Sequence, residues 1–347
     1  MKAALVGAGQ IARQHLACLK ETPGVDLVAV CDLSPAVAES MAERFSAPAW
    51  FTDYATMLER ARPDVVHVTT PPTSHFRLAL AALDAGAHVV LEKPATSTLE
   101  ELELLAERAR EKGRALVEDY NYVFNRAPQE ILKRLLAGEL GDVVHVDVFI
   151  GLEILGPGGF ADPNAPHAVL SLAGGAIADF LPHLASLAHA FVGPHRRVST
   201  SWTKRKPSVL PYDEFRAVVE AERGTATLAF SSSSRPDAFW LRVYAENAQA
   251  TANLWETRLT WSRVRGGPKP LQPTMNGWEE GRTVRRAAVR TLLEKFGSGS
   301  GAYEGLWTLL RRTYQALGDG KALPVPLEHV LEVNRMVEAL KPLEARS

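Results

Sequence analysis

The chain has little cysteine, little net charge and no long apolar run. Cys18 and Cys31 are the only cysteines in 347 residues and sit in no metal-ligand spacing. A disulfide scaffold and a zinc module are therefore excluded, no metal site is expected, and a reduced, cytoplasmic setting is the default. Cys18 reads as helix interior and Cys31 as a strand end. Basic and acidic residues number 39 and 40, for a net charge of -1. That balance offers nothing to hold a nucleic acid or a membrane surface. No apolar run approaches the length of a membrane span, and the start Met1 to Gly7 is too short an apolar stretch for a secretory signal. What remains is a globular composition, 46% hydrophobic and 23% charged. The length exceeds one ordinary core and predicts two domains, cut at 1–119 and 120–347, without internal repeats.

The first part alternates apolar strands with amphipathic helices, the pattern of a parallel sheet. Strands are expected at Ala3 to Val6, Val25 to Cys31, Val65 to Val68, His88 to Leu91 and around Val117. Ser34 and Pro35 open one helix, Gly86 ends another, and Ser97 or Thr98 caps a charged helix stopped by Gly113. Between the first strand and helix lies Gly7-Ala8-Gly9-Gln10-Ile11-Ala12, a GxGxxA loop. Its glycines permit a tight turn and close approach of a pyrophosphate to the helix N-terminus. Asp32 follows at the end of the second strand, near the offset of roughly 20 residues expected for a ribose-binding acid. No arginine stands close behind it, which favours NAD over NADP. Glu92-Lys93-Pro94 closes the run His88 to Leu91. Ligands of open α/β sheets lie outside the carboxyl ends of the strands, so Lys93 should face the nicotinamide end. The bland alternative is a surface lysine in a loop.

From about Tyr120 the alternation stops. A helix through Ile131 to Leu136 ends at Gly138, and Gly141 leads into the strand Val143 to Ile150. Phe215 to Glu222 and Thr225 to Ser231 flank Arg223-Gly224 as a hairpin, and strands continue at Phe239 to Ala245, Ala248 to Trp255 and Arg258 to Arg263. The result is an α+β domain with an open, mainly antiparallel sheet, closed by a helix from Leu327 to Leu340. Gly297 to Gly301 reads as a short loop. In Gly174-Gly175-Ala176-Ile177-Ala178-Asp179-Phe180-Leu181-Pro182-His183, proline fits a helix only in its first turn. Asp179 is therefore expected as an N-cap, one turn from His183 on the same face. A carboxylate there can orient an imidazole, although a cap beside a surface histidine is the commoner meaning of such a pair.

Together these motifs resemble the Gfo/Idh/MocA family. They are the glycine loop, Thr69-Thr70-Pro71-Pro72-Thr73-Ser74-His75, Glu92-Lys93-Pro94, Gly138-Glu139-Leu140-Gly141, and Gly174-Gly175 followed by Asp179 and His183. The resemblance covers nearly the whole chain. It implies an N-terminal Rossmann domain binding NAD, with NADP as the alternative, and a C-terminal domain whose sheet forms a homodimer or homotetramer. It maps Lys93, Asp179 and His183 onto a catalytic lysine, aspartate and histidine that converge on one pocket. Gly7, Gly9, Gln10, Ile11, Asp32, Thr70, Pro71, His75, Glu92 and Lys93 fall on the cofactor side. Tyr120, Asn121 and His167, with Lys93, Asp179 and His183, are candidate substrate contacts. In the family a cis peptide often precedes the proline matching Pro94.

The sequence departs from the family at Pro72, at Asn121 to Asn125 and at Phe180 to Pro182, all on the substrate side. The expected activity is hydride transfer between nicotinamide and a secondary alcohol or ketone of a sugar, cyclitol or other polyol. The alternatives are an NAD-dependent glycoside hydrolase and a non-catalytic dinucleotide-binding regulator; retention of all three catalytic types argues against the latter. The stretch Leu155 to His167 reads as a loop over the pocket. The basic cluster Arg196-Arg197 and Lys204-Arg205-Lys206 would suit an anionic substrate, or be a solvated strand edge. Trp240, Trp255 and Trp261 are expected at a subunit interface.

Overall fold

The computed structural model describes residues 1–155, 161, 174–256, 258–268, 270–296 and 303–343, with the side chains of 290–296 left aside. His167, most of the loop 155–167 and the loop 297–301 lie outside the described residues. Two compact units result: Met1–Asn121 with Gly305–Asn334, and Tyr122–Glu304 with Arg335–Arg346.

In the first unit six parallel strands are ordered β3-β2-β1-β4-β5-β6. They are β1 (Lys2–Val6), β2 (Asp26–Cys31), β3 (Trp50–Phe51), β4 (Val65–Val68), β5 (His88–Leu91) and β6 (Leu116–Glu118). The central strands are buried on both faces, which is why they read as continuous apolar runs. Between them run α1 (Ala12–Glu21), α2 (Pro35–Phe45), α3 (Tyr54–Ala61), α4 (His75–Asp84) and α5 (Leu99–Lys112). Thr98 caps α5 in a capping box with Glu101, and Gly113 ends it at φ 61°. Leu5, Leu16, Val30 and Met41 form a core under α1 and α2.

Register then places the site. Val6 pairs with Cys31 and Val68, Val68 with Leu91, and Leu91 with Glu118. One residue further, Gly7, Asp32, Thr69, Glu92 and Asp119 all leave the same carboxyl edge. The order reverses between β1 and β4, the switch point at which such sheets bind ligands.

The second unit opens with α6 (Arg126–Leu136) and carries a seven-stranded sheet ordered β13-β12-β11-β7-β10-β9-β8. Its strands are β7 (Val143–Gly151), β8 (His195–Thr203), β9 (Glu214–Ala221), β10 (Gly224–Ser231), β11 (Ala238–Ala245), β12 (Ala248–Asn253) and β13 (Arg258–Arg263). Only the β7/β10 pair is parallel. Val146, Val148 and Ile150 alternate inward, and α7 (Gly175–Val192) packs on β7 and β10. Among the described residues α7 alone is long and apolar enough to cross a membrane; 83% of it is buried inside this unit, as a core helix is. α8 (Leu271–Phe296) lies along β13. Later, α9 (Glu304–Asp319) and the start of α10 (Leu327–Leu340) pack in the first unit.

Candidate active site

At the switch point Gly7 has φ 91°, and a Cβ there would sit 2.5 Å from Thr70 Cγ2 and 2.8 Å from its backbone nitrogen. Only glycine permits that approach of loop to strand end. The Thr69 hydroxyl donates to Gly7 O at 2.6 Å and locks it. Gly9 differs: a Cβ there would meet nothing within 4 Å. No side chain caps α1, and the uncapped N–H groups at a helix start are suited to an anionic phosphate. Asp32 accepts from Ala8 N–H at 2.8 Å and Ser34 N–H at 2.9 Å, which fixes its carboxylate at the end of β2. The next residue, Leu33, is apolar and 93% exposed, so no cation stands there to meet a 2′-phosphate.

His75 is fully buried, its ring spanning Thr70 O (2.7 Å) and Pro94 O (3.0 Å). It ties the turn after β4 to the segment after β5; both ring nitrogens are engaged within the protein. The Ser74 hydroxyl donates to Thr70 Oγ1 at 2.7 Å, while Pro71 is exposed at the same edge. The Lys93-Pro94 bond is cis.

Lys93 is half-buried beside two buried acids, Glu92 and Asp119, whose charges it feels. Burial alone would raise the Glu92 carboxyl. The hydrogen bond and charge of His15, helped by Lys93 and Asp119, outweigh it and hold Glu92 below the usual range. Burial, with the charge of Glu92, pushes Asp119 well above that range. His15 Nε2 lies 2.9 Å from Glu92 Oε1, His15 Nδ1 2.9 Å from His67 Nδ1, and His67 Nε2 2.8 Å from the Tyr314 hydroxyl. Glu118 is pushed up to about 7 by burial, against hydrogen bonds from Tyr120, Asn334 and the Ala95 N–H.

Tyr120, a candidate substrate contact, is 1% exposed and donates to Glu118 Oε2 at 2.6 Å. It belongs to the core, because burying its ring is stable only with the hydroxyl satisfied. Asn121 is half-buried at the start of a 3-10 turn. Sequence reasoning missed Asp119, His15, His67 and Tyr314. The available signal was a histidine inside Val65-Val66-His67-Val68 and two acids directly after Leu116-Val117, which are costly to bury unless bonded.

In the second unit Asp179 and His183 lie one turn apart on α7. His183 is buried in an aromatic nest, edge-on to Tyr122 with ring centroids 4.7 Å apart and near Phe180 at 6.0 Å. The expectation of Asp179 as N-cap fails. The helix begins at Gly175, with Gly174 as its cap, and Pro182 is interior. Gly174 and Gly175 have φ 88° and 62°, and a Cβ on Gly175 would reach 2.9 Å from Pro211. Glycine alone lets the chain turn into a helix there. Pro182 then leaves the Ala178 carbonyl without its helical donor, a penalty of about 3 kcal/mol for an exposed helix that the burial of α7 offsets.

The basic cluster is a solvated edge met by acids. Arg197 pairs with Glu220, Arg205 lies 3.9 Å from Glu214, and buried Asp213 accepts from the backbone N–H of Arg205 and Lys206. The tryptophans have partners within this chain: Trp261 lies between Arg134 and Arg263, Trp240 beneath Arg258, and Trp255 edge-on to Phe239.

A doubly wound parallel sheet with an open glycine loop, an acid at the end of β2 and a lysine at the end of β5 defines a dinucleotide-binding oxidoreductase domain. Residues 1–120 match the model of the oxidoreductase family with an NAD-binding Rossmann fold, and 129–251 that of the GFO/IDH/MocA C-terminal domain. The chain belongs to this Gfo/Idh/MocA family, and its first unit is the NAD-binding domain. It is 33% identical over 144 residues to D-glucoside 3-dehydrogenase of Escherichia coli, a match covering 41% of each chain, about two fifths of that relative's length. To dTDP-3,4-didehydro-2,6-dideoxy-alpha-D-glucose 3-reductase of Streptomyces violaceoruber it is 27% identical, covering 88% of this chain and 89% of that one. The fold is similar to an NAD-binding oxidoreductase from Klebsiella pneumoniae, at TM-score 0.80, 19% identity, and coverage of 98% and 95%.

Proposed function

We propose that this chain is an NAD-dependent dehydrogenase acting on a ring hydroxyl of a sugar or related polyol. The observation that carries this reading is the row Gly7, Asp32, Thr69, Glu92, Asp119 with Lys93 at one sheet edge, in a chain of this family. When bound, NAD supplies the hydride acceptor. Gly9 and the N-terminus of α1 hold its pyrophosphate, and Asp32 accepts from its ribose hydroxyls. Lys93, as an ammonium, stabilises negative charge growing on the substrate oxygen. His183 takes the hydroxyl proton, since an imidazole titrates near neutrality, and Asp179 orients it or the substrate.

Both relatives named above act, by their names, at position 3 of a hexose, which supports a glycoside or nucleotide-linked sugar with a free 3-hydroxyl. The protein works as a homo-oligomer through the face of β7 and β11 opposite α7, where Phe149, Trp240 and Tyr244 are half-exposed. Its setting is reducing, consistent with two buried free thiols. The test is net NADH formation from NAD across glycosides, nucleotide sugars and cyclitols, with NADP in parallel. Reduction of NAD by a 3-hydroxyl sugar is expected. Glycoside release without net NADH would instead indicate hydrolysis.

A further inference from the structure

The buried polar chain in the first unit is not needed to bind a dinucleotide, yet it ends beside Lys93. His15 and His67 have no solvent exposure, and Tyr314 is 4% exposed. They come from α1, β4 and α9 and meet Glu92 through three contacts of 2.8–2.9 Å. The His67 and Tyr314 rings stack at 5.9 Å with planes 8° apart. Buried groups of this kind are retained only when every member is satisfied.

We propose that Glu92 and Asp119 hold one proton between them beside Lys93, and that the chain His15, His67 and Tyr314 keeps the negative charge on Glu92, making these three positioning residues for the Lys93 ammonium. This rests on the reading of Lys93 as catalytic. The argument follows the hydrogens. A carboxylate only accepts, so His15 must carry a hydrogen on Nε2, toward Glu92. The facing Nδ1 atoms of His15 and His67 lie 2.9 Å apart, so one of them donates and the other accepts. His67 Nε2 meets the Tyr314 hydroxyl, which can donate or accept, at 2.8 Å. The phenol thus completes His67 at one end of the chain, and the Glu92 carboxylate fixes the direction of the bond from His15 at the other.

The proton displaced from Glu92 resides on Asp119, which offers a buried carboxylate oxygen within 4.8 Å of Glu92 and of His15, and whose Oδ1 has no hydrogen-bond partner. Two adjacent buried carboxyls cannot both ionise. The groups facing this pair are His15, Lys93 and Glu118. Those facing His67 are His15 and Tyr314, and those facing Tyr314 are His67, Cys18 and Asp64. Burial and neighbouring His15 push His67 far below the usual imidazole range, so His67 itself adds no charge to the chain.

Without the phenol, His67 Nε2 loses its partner and the imidazole no longer holds His15 in place. A bare His15 Nε2 can then face Glu92 and the proton is drawn onto Glu92. Two measurements test this. Infrared spectra at about pH 9, above the range in which Glu118 titrates, should show one protonated-carboxyl band that Asp119→Asn removes. In Tyr314→Phe, which keeps the stacked ring, the acidic limb of the kcat–pH profile should move up by about 1 pH unit, with the KM for NAD within about two-fold. A merely structural phenol would lower the melting temperature and leave the profile in place. No such band in the wild type, or a Tyr314→Phe profile that overlays the wild type, overturns the proposal. If Tyr314→Phe fails to fold, the infrared comparison decides alone. A band present alongside a fully active Lys93→Ala would uphold the shared proton and sink the catalytic reading of Lys93.

Discussion

Buried titrating side chains in the two units should give opposite pH dependences of stability. Glu118 is raised by burial from the ordinary 4.5 to about 7. Its stabilising contribution is complete below 4.5 and lost as pH rises through 7, about 3 kcal/mol in all. Glu118→Gln should flatten that slope in thermal melts between pH 4.5 and 7; an unchanged slope would mean the carboxyl is ionised throughout. His189, on α7, is lowered to about 4 by burial, with the charges of Arg223 and His195 adding. Its contribution is complete above 6.5 and lost as pH falls toward 4, again by about 3 kcal/mol. His189→Leu should therefore melt with less acid sensitivity than the wild type. Neither slope was legible from composition, because a residue's proton affinity depends on burial that a one-dimensional pattern does not show. The places of Asp32 and Lys93 at strand ends were legible, since Asp32 directly follows one apolar run and Lys93 stands one residue beyond another.

Among elements, the glycine loop separates folding from binding. Gly7→Ala forces a Cβ to 2.5 Å from Thr70 at a left-handed φ, so melting temperature and NAD affinity should both fall. Gly9→Ala meets no protein atom within 4 Å. It should leave the melting temperature of the free protein unchanged and weaken NAD by tenfold or more, read by calorimetric titration; equal affinity would place the pyrophosphate elsewhere. The strands of the first sheet could be read because full burial makes them uniformly apolar. Other elements could not. β8 alternates Arg, Ser and Thr along a partly solvated edge, and β3 has only two residues. α8 carries Pro273, Gly277 and Gly281 and turns Leu271, Met275 and Trp278 to solvent, so no core-facing stripe marks it. The start of α7 was misplaced because the proline rule for exposed helices was applied to a helix that is buried nearly all round.

At the scale of the whole molecule, periodicity announced α10 but not which core the chain after Gly305 joins. That depends on particular contacts, such as Tyr314 with His67 and Asn334 with Glu118, which link positions more than 200 residues apart. The proposed catalytic roles fall one in each unit, Lys93 in the first and His183 in the second. Their most direct test is the single-turnover rate of NADH formation on the preferred sugar, in wild type, Lys93→Ala, His183→Ala and the double variant. The account predicts a loss of about 10²–10³ for each single variant. The double variant should lose far less than the product of the two, since the proposal has both groups serve one hydroxyl. A single variant at the wild-type rate, or losses that simply multiply, would contradict it.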